Sequence, residues 1–104
     1  MKKHQFYSMA IKGGVPVAEP RKGYTDGEYN YYNAGYKHWH CIEPTTGLSV
    51  VTGTSKEHAQ QRAAGLKDQV EKYKASVRYK ADVDRLIEKR SEHKTAEVDT
   101  ITQV

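Results

Sequence analysis

All three prolines and seven of the eight glycines fall before residue 54, and from Thr54 to about residue 95 the only glycine is Gly65. That asymmetry admits few folds: a first half that turns repeatedly, then a segment free to be helical throughout. "TSKE" at 54–57 fits a capping box, with the Thr54 hydroxyl serving the Glu57 backbone and the Glu57 carboxylate reaching back. Beyond it, Lys67–Glu71, Asp68–Lys72, Arg78–Asp82 and Lys80–Asp84 are spaced for i, i+4 ion pairs.

Within the helical segment, Ala59, Ala63, Leu66, Val70, Tyr73 and Val77 step by 4 or 3 and make one apolar stripe fit to cover a sheet. Tyr79, Val83, Leu86 and Ile87 form a second stripe, rotated by about 140° from the first on a straight helix. One sheet cannot bury both. Either the chain turns near 76–82 and folds back, or one helix of about 40 residues, roughly 60 Å long, projects its far half toward another molecule. With no Gly, Pro or Asn near 76–82, the continuous helix is the preferred reading.

The first half alternates. "QFYSMAIK" (5–12) places Tyr7, Met9 and Ile11 on one face of a strand, Gly13-Gly14 suits a hairpin turn, and Pro16 confines the returning strand to an edge. Residues 19–35 read as a long loop punctuated by Pro20, Gly23, Gly27 and Gly35. "YKHWHCIE" (36–43) and "LSVVT" (48–52) form a second hairpin around "PTTG". The expected class is therefore α+β: a small antiparallel sheet of two hairpins, covered by a long C-terminal helix or helical hairpin. The chain reads as a single domain over 1–95 (sheet 5–52, helix about 55–95) with a short tail at 96–104.

With 104 residues, 37% of them apolar and 29% charged, the core is small and its margin of stability thin. A net charge of +4 is too mild and too evenly spread to mark a nucleic-acid binder by itself. One cysteine excludes an internal disulfide, and no hydrophobic run resembles a signal peptide or a membrane span, so a cytoplasmic location is expected.

Half of the eight tyrosines lie in "YNYYNAGYKHWHC" (29–41). Tyrosine beside asparagine and glycine is the composition of protein-recognition loops, which makes Tyr29, Tyr31 and Tyr32 candidate partner contacts, with Tyr36 and Trp39 read as mainly structural. Tyr79, Val83, Leu86 and Ile87 join the partner-binding set, because an exposed apolar face needs a cover. That cover is expected to be a second copy, in an antiparallel pairing that sets basic 54–80 beside acidic 81–104. Lys56, Lys67, Lys74, Arg78 and Arg85 share one side of a straight helix and could track phosphates.

No catalytic or metal constellation emerges. His38 and His40 share a strand face, but no further residues at ligand spacing complete a zinc site, so neither a metal nor a cofactor is expected. Cys41 points to the opposite face from those histidines and reads as a buried thiol, not a nucleophile. The expectation is a non-enzymatic binding or regulatory protein with an unidentified protein partner, of the type found among phage and mobile-element accessory proteins that inhibit host machinery. The alternative is a DNA- or RNA-binding module using the basic helix line and the tyrosine-rich loop.

Overall fold

The computed structural model describes residues 1–92; its last helix runs past that limit, and the tail expected at 96–104 lies outside the described residues. Five strands, β1 (Lys2–Lys12), β2 (Val15–Thr25), β3 (Asn30–Gly35), β4 (His38–Ile42) and β5 (Ser49–Gly53), precede helices α1 (Lys56–Ala64), α2 (Lys67–Lys74) and α3 (Val77–Gln103). The class is α+β, as the pattern implied. The sheet, however, is a single antiparallel meander in the order β1-β2-β3-β4-β5 instead of two separate hairpins.

The difference lies in residues 19–35, expected as a loop: 19–25 and 30–35 are strand, and only 26–29 are not. β2 pairs with β1 along its whole length, from Lys2↔Thr25 to Lys12↔Val15, but with β3 only at Tyr24↔Tyr31 and Thr25↔Asn30. Pro16 and Pro20 therefore sit where β2 has one hydrogen-bonded neighbour, the setting in which a strand tolerates proline. Asp26 then turns the chain: its Oδ1 accepts the backbone N–H groups of Glu28 and Tyr29, and Gly27 takes φ +93°.

The sheet curls. Met9 N–H donates to the Gly47 carbonyl at 2.8 Å, joining the first strand to the turn between the fourth and fifth. In a flat sheet β1 and β4 would stand about 14 Å apart, three strand spacings.

Helix α1 lies on one face, where Ala59 and Ala63 pack against Tyr29, Tyr31 and Cys41. Gly53 permits that approach, because a Cβ there would meet the Ala59 nitrogen at 2.5 Å. The cap is Ser55, whose Oγ accepts the His58 N–H at 3.0 Å; Thr54, one residue earlier, instead bonds the His58 ring. α3 crosses the β1–β2 end, with Leu86 only 2% exposed and near Met9 and Gly47.

The continuous 40-residue helix does not form. The chain breaks at Gly65–Leu66 and again at Ala75–Ser76. At the second break the Ser76 hydroxyl donates to the Tyr73 carbonyl at 2.6 Å, and Tyr73 O–H donates to buried Asp82, tying α2 to α3. Among the described residues no helix is long and apolar enough to cross a membrane.

Candidate functional site

The break at Ala75–Ser76 leaves α2 as an eight-residue helix, and none of its residues is buried. Leu66, Val70 and Tyr73 nevertheless follow one another at i, i+4, i+7, a single apolar stripe. That stripe faces Leu48 and Val50, and the five side chains line a cleft of about 360 Å³. All are partly accessible, Leu48 at 38%. The cleft is thus an apolar surface with walls already in place and nothing described within the chain to fill it.

Its walls are held from behind. Glu43, the one charged lining residue, is 3% exposed. Its carboxylate accepts from Thr46 N–H at 2.8 Å and Thr46 O–H at 2.9 Å, from Thr45 N–H at 3.1 Å, and from the Thr45 hydroxyl at 2.7 Å. Burial alone would push the Glu43 pKa up, but those hydrogen bonds outweigh it and hold the group below its ordinary value. On the opposite wall, Asp82 anchors the Tyr73 hydroxyl, whose pKa burial and that carboxylate both raise.

The residues singled out from the sequence are dispersed. Tyr29 and Tyr31 are 5% and 0% exposed, members of the core under α1, so neither is available to a partner in the folded chain. Tyr31 O–H donates to Asp26 Oδ2 at 2.6 Å. Tyr32 is on the other sheet face, its ring set between the Arg21 guanidinium, 4.4 Å from the centroid, and the stacked His40 ring. Tyr36, read as structural, is instead 91% exposed at the β3–β4 tip, while Trp39 is half-buried beside Tyr24.

On α3, Leu86 is core, Val83 and Tyr79 are half-buried, and the Tyr79 hydroxyl meets Thr45 Oγ1 at 2.7 Å. Only Ile87, 58% exposed, remains of the face expected to pair with a second copy. The second stripe is largely covered within the chain because the break turns it back toward the β1–β2 end.

The basic line is split over three helices. The Lys56 ammonium lies over Tyr24 and Trp39, Lys74 reaches Glu43 at 3.7 Å, and Arg78 and Arg85 approach Asp82 at 4.0 and 3.9 Å. Cys41 is fully buried, and burial pushes its thiol up to about 12. It remains a protonated thiol at neutral pH, without nucleophilic character.

What sequence reasoning missed is the cleft. Leu66, Val70 and Tyr73 were legible as an apolar stripe, but as one covering the sheet; Leu48, just after "PTTG", carried the only further signal. Comparison with protein-family models, with curated proteins and with solved structures finds no match to this chain.

Proposed function

We propose that the protein is a non-catalytic binding module whose partner is another protein, seated by an apolar anchor side chain in the cleft between β5 and α2. One observation carries the reading: α2 has an apolar stripe yet buries none of its residues. So short a helix draws its stability from packing and not from propensity, and on its outer side that packing is incomplete. An inserted leucine- or phenylalanine-sized side chain would complete it, each such burial being worth about 1.5–3 kcal/mol. The fixed Glu43 and Tyr73 walls lower the ordering needed on binding.

Two features favour a protein over nucleic acid. Tyr32 is already engaged by the stacked His40 ring and the Arg21 guanidinium, which makes it a poor platform for a base. Four of the five cations on the basic line already have partners in the chain. A chain of this size that binds without reacting acts by covering its partner's surface, as inhibitory accessory proteins of phages and mobile elements do.

The test is capture from a cell lysate, with and without nuclease, by the wild type and by Val70→Glu. Because Val70 is half-buried and outside the core, the substitution should cost no more than about 1 kcal/mol of stability while weakening binding by at least tenfold. A partner that resists nuclease and is lost with Val70→Glu is the expected result, and a second copy of this chain would appear in the same eluate. Capture that nuclease abolishes, or that Val70→Glu leaves intact, would move the contact elsewhere.

A further inference from the structure

The side of the sheet away from α1 carries a pair of histidines with an unusual mutual geometry. His38 and His40 are two residues apart on β4, so their side chains project to the same face. Their Nε2 atoms stand 3.1 Å apart. At that separation the two nitrogens cannot both carry hydrogen; one presents a bare lone pair to the other. The His40 ring is fixed on three sides: by His38, by the Tyr32 ring stacked at 5.1 Å and 9°, and by Ser49 Oγ at 3.1 Å from Nδ1.

That third contact sets the chemistry. With Nδ1–H assigned as donor to Ser49, His40 holds the tautomer whose Nε2 is bare, the arrangement by which outer groups orient metal-bound histidines. In the metal-free protein that lone pair accepts from His38 Nε2–H, and an ion takes its place once His38 carries its hydrogen on Nδ1. Two metal–nitrogen bonds of the usual length for zinc, about 2.0–2.1 Å, span about 2.9 Å at a right angle and about 3.4 Å at the tetrahedral angle. The observed 3.1 Å lies between those limits.

We infer that His38 and His40 form an open, two-imidazole site for a late first-row divalent ion such as zinc or nickel. Among the described residues no cluster of three or more His, Cys, Asp or Glu side chains surrounds a metal position, so this is not a closed structural centre. Solvent completes the coordination, and the ion exchanges readily. Imidazole nitrogen selects zinc, nickel or copper(II) over magnesium or calcium, whose preferred ligands are oxygens. The expectation of no metal was drawn from the missing third ligand, which an exchangeable ion with solvent completing its coordination does not require. The site lies on the opposite sheet face from the α1 packing; Ser49, which also lines the cleft, is the residue it shares with the proposed protein docking.

The experiment is a calorimetric titration of zinc chloride into the untagged protein, with magnesium chloride as the control ion. Saturation at one zinc per chain in the micromolar range is expected, with no magnesium response. His38→Gln and His40→Gln should each abolish it, and Ser49→Ala should weaken it several-fold by releasing the His40 ring. His38 is exposed, so its variant should fold even if that of His40 does not. Absence of saturable zinc binding up to millimolar concentration, or stoichiometric binding that survives His38→Gln, would overturn the assignment.

Discussion

A single carboxylate organises the turn on which both the curl and the cleft depend. Glu43 is ionised in a nearly inaccessible position because Thr45 and Thr46 supply backbone and hydroxyl donors to it. Its pKa is depressed relative to an unfolded-chain value near 4.5. The sign follows directly: the stabilisation is complete above that value and disappears as pH falls through the lower folded one. Asp26 acts in the same direction, since hydrogen bonds from Tyr29, Tyr31, Glu28 and Gln60 overcome the upward push of its burial. Denaturant unfolding followed from pH 7 to pH 3 should therefore show stability falling below about pH 4.5. Glu43→Gln should cost about 1–3 kcal/mol at neutral pH and flatten part of the acid slope, leaving the Asp26 share. An unchanged slope in the variant would assign the acid loss to other groups.

At the scale of elements, the helical half shows what a sequence yields and where it stops. The 140° disagreement between the two stripes was legible as a conflict, and the chain resolves it by breaking at Ser76. Glycine, proline and asparagine are the familiar stop signals, and none is there. Ser76 does the work differently: its Oγ accepts the Tyr79 N–H at 3.4 Å as a cap for α3 while its hydroxyl reaches back to the Tyr73 carbonyl. A serine followed three residues later by tyrosine is a weak signal, because half its value depends on the Tyr73–Asp82 tie across the break. Ser76→Ala should cost about 1 kcal/mol, read as a shift in the denaturation midpoint at constant slope. If stability were unchanged, Tyr73–Asp82 alone would hold the turn. The far half of the second strand was lost for a related reason: Pro20 and Gly23 look like loop chemistry unless β1 is known to be the sole partner along most of β2. The cleft depended on both facts. Leu66, Val70 and Tyr73 could be recognised as apolar, but whether they cover a sheet or border a gap is decided by where the helix ends.

For the whole molecule the decisive step is how the β1–β2 hairpin folds back on the remainder. Two register pairs join β2 to β3, and Gly23 lies next to them. A Cβ at Gly23 would drive into the Tyr31 carbonyl oxygen and come within 3.2 Å of the Tyr32 Cα, all of it backbone that cannot rotate away. Gly47, at the other closure, has φ +71°, and a Cβ there would lie 3.1 Å from Leu86 Cδ1 and 3.2 Å from the Met9 nitrogen. The Leu86 side chain can yield by a few tenths of an ångström but the Met9 nitrogen is backbone, so Gly47→Ala should cost at least its left-handed backbone, about 1–2 kcal/mol. Gly23→Ala has no such relief, and its cost should reach or exceed the roughly 3 kcal/mol usual for overpacking. The losses should also differ in place. Hydrogen exchange should show Gly23→Ala releasing the amides of Tyr24 and Thr25, where β2 meets β3, while Ala59 and Ala63 under the α1–β4 core remain protected. Gly47→Ala should instead expose the Met9 amide, whose acceptor is the Gly47 carbonyl. If Gly23→Ala melts with the wild type and protects Tyr24 equally well, the β1–β2 hairpin is not held by close backbone contact at Gly23. The curl would then rest on Met9–Gly47 and Leu86 alone.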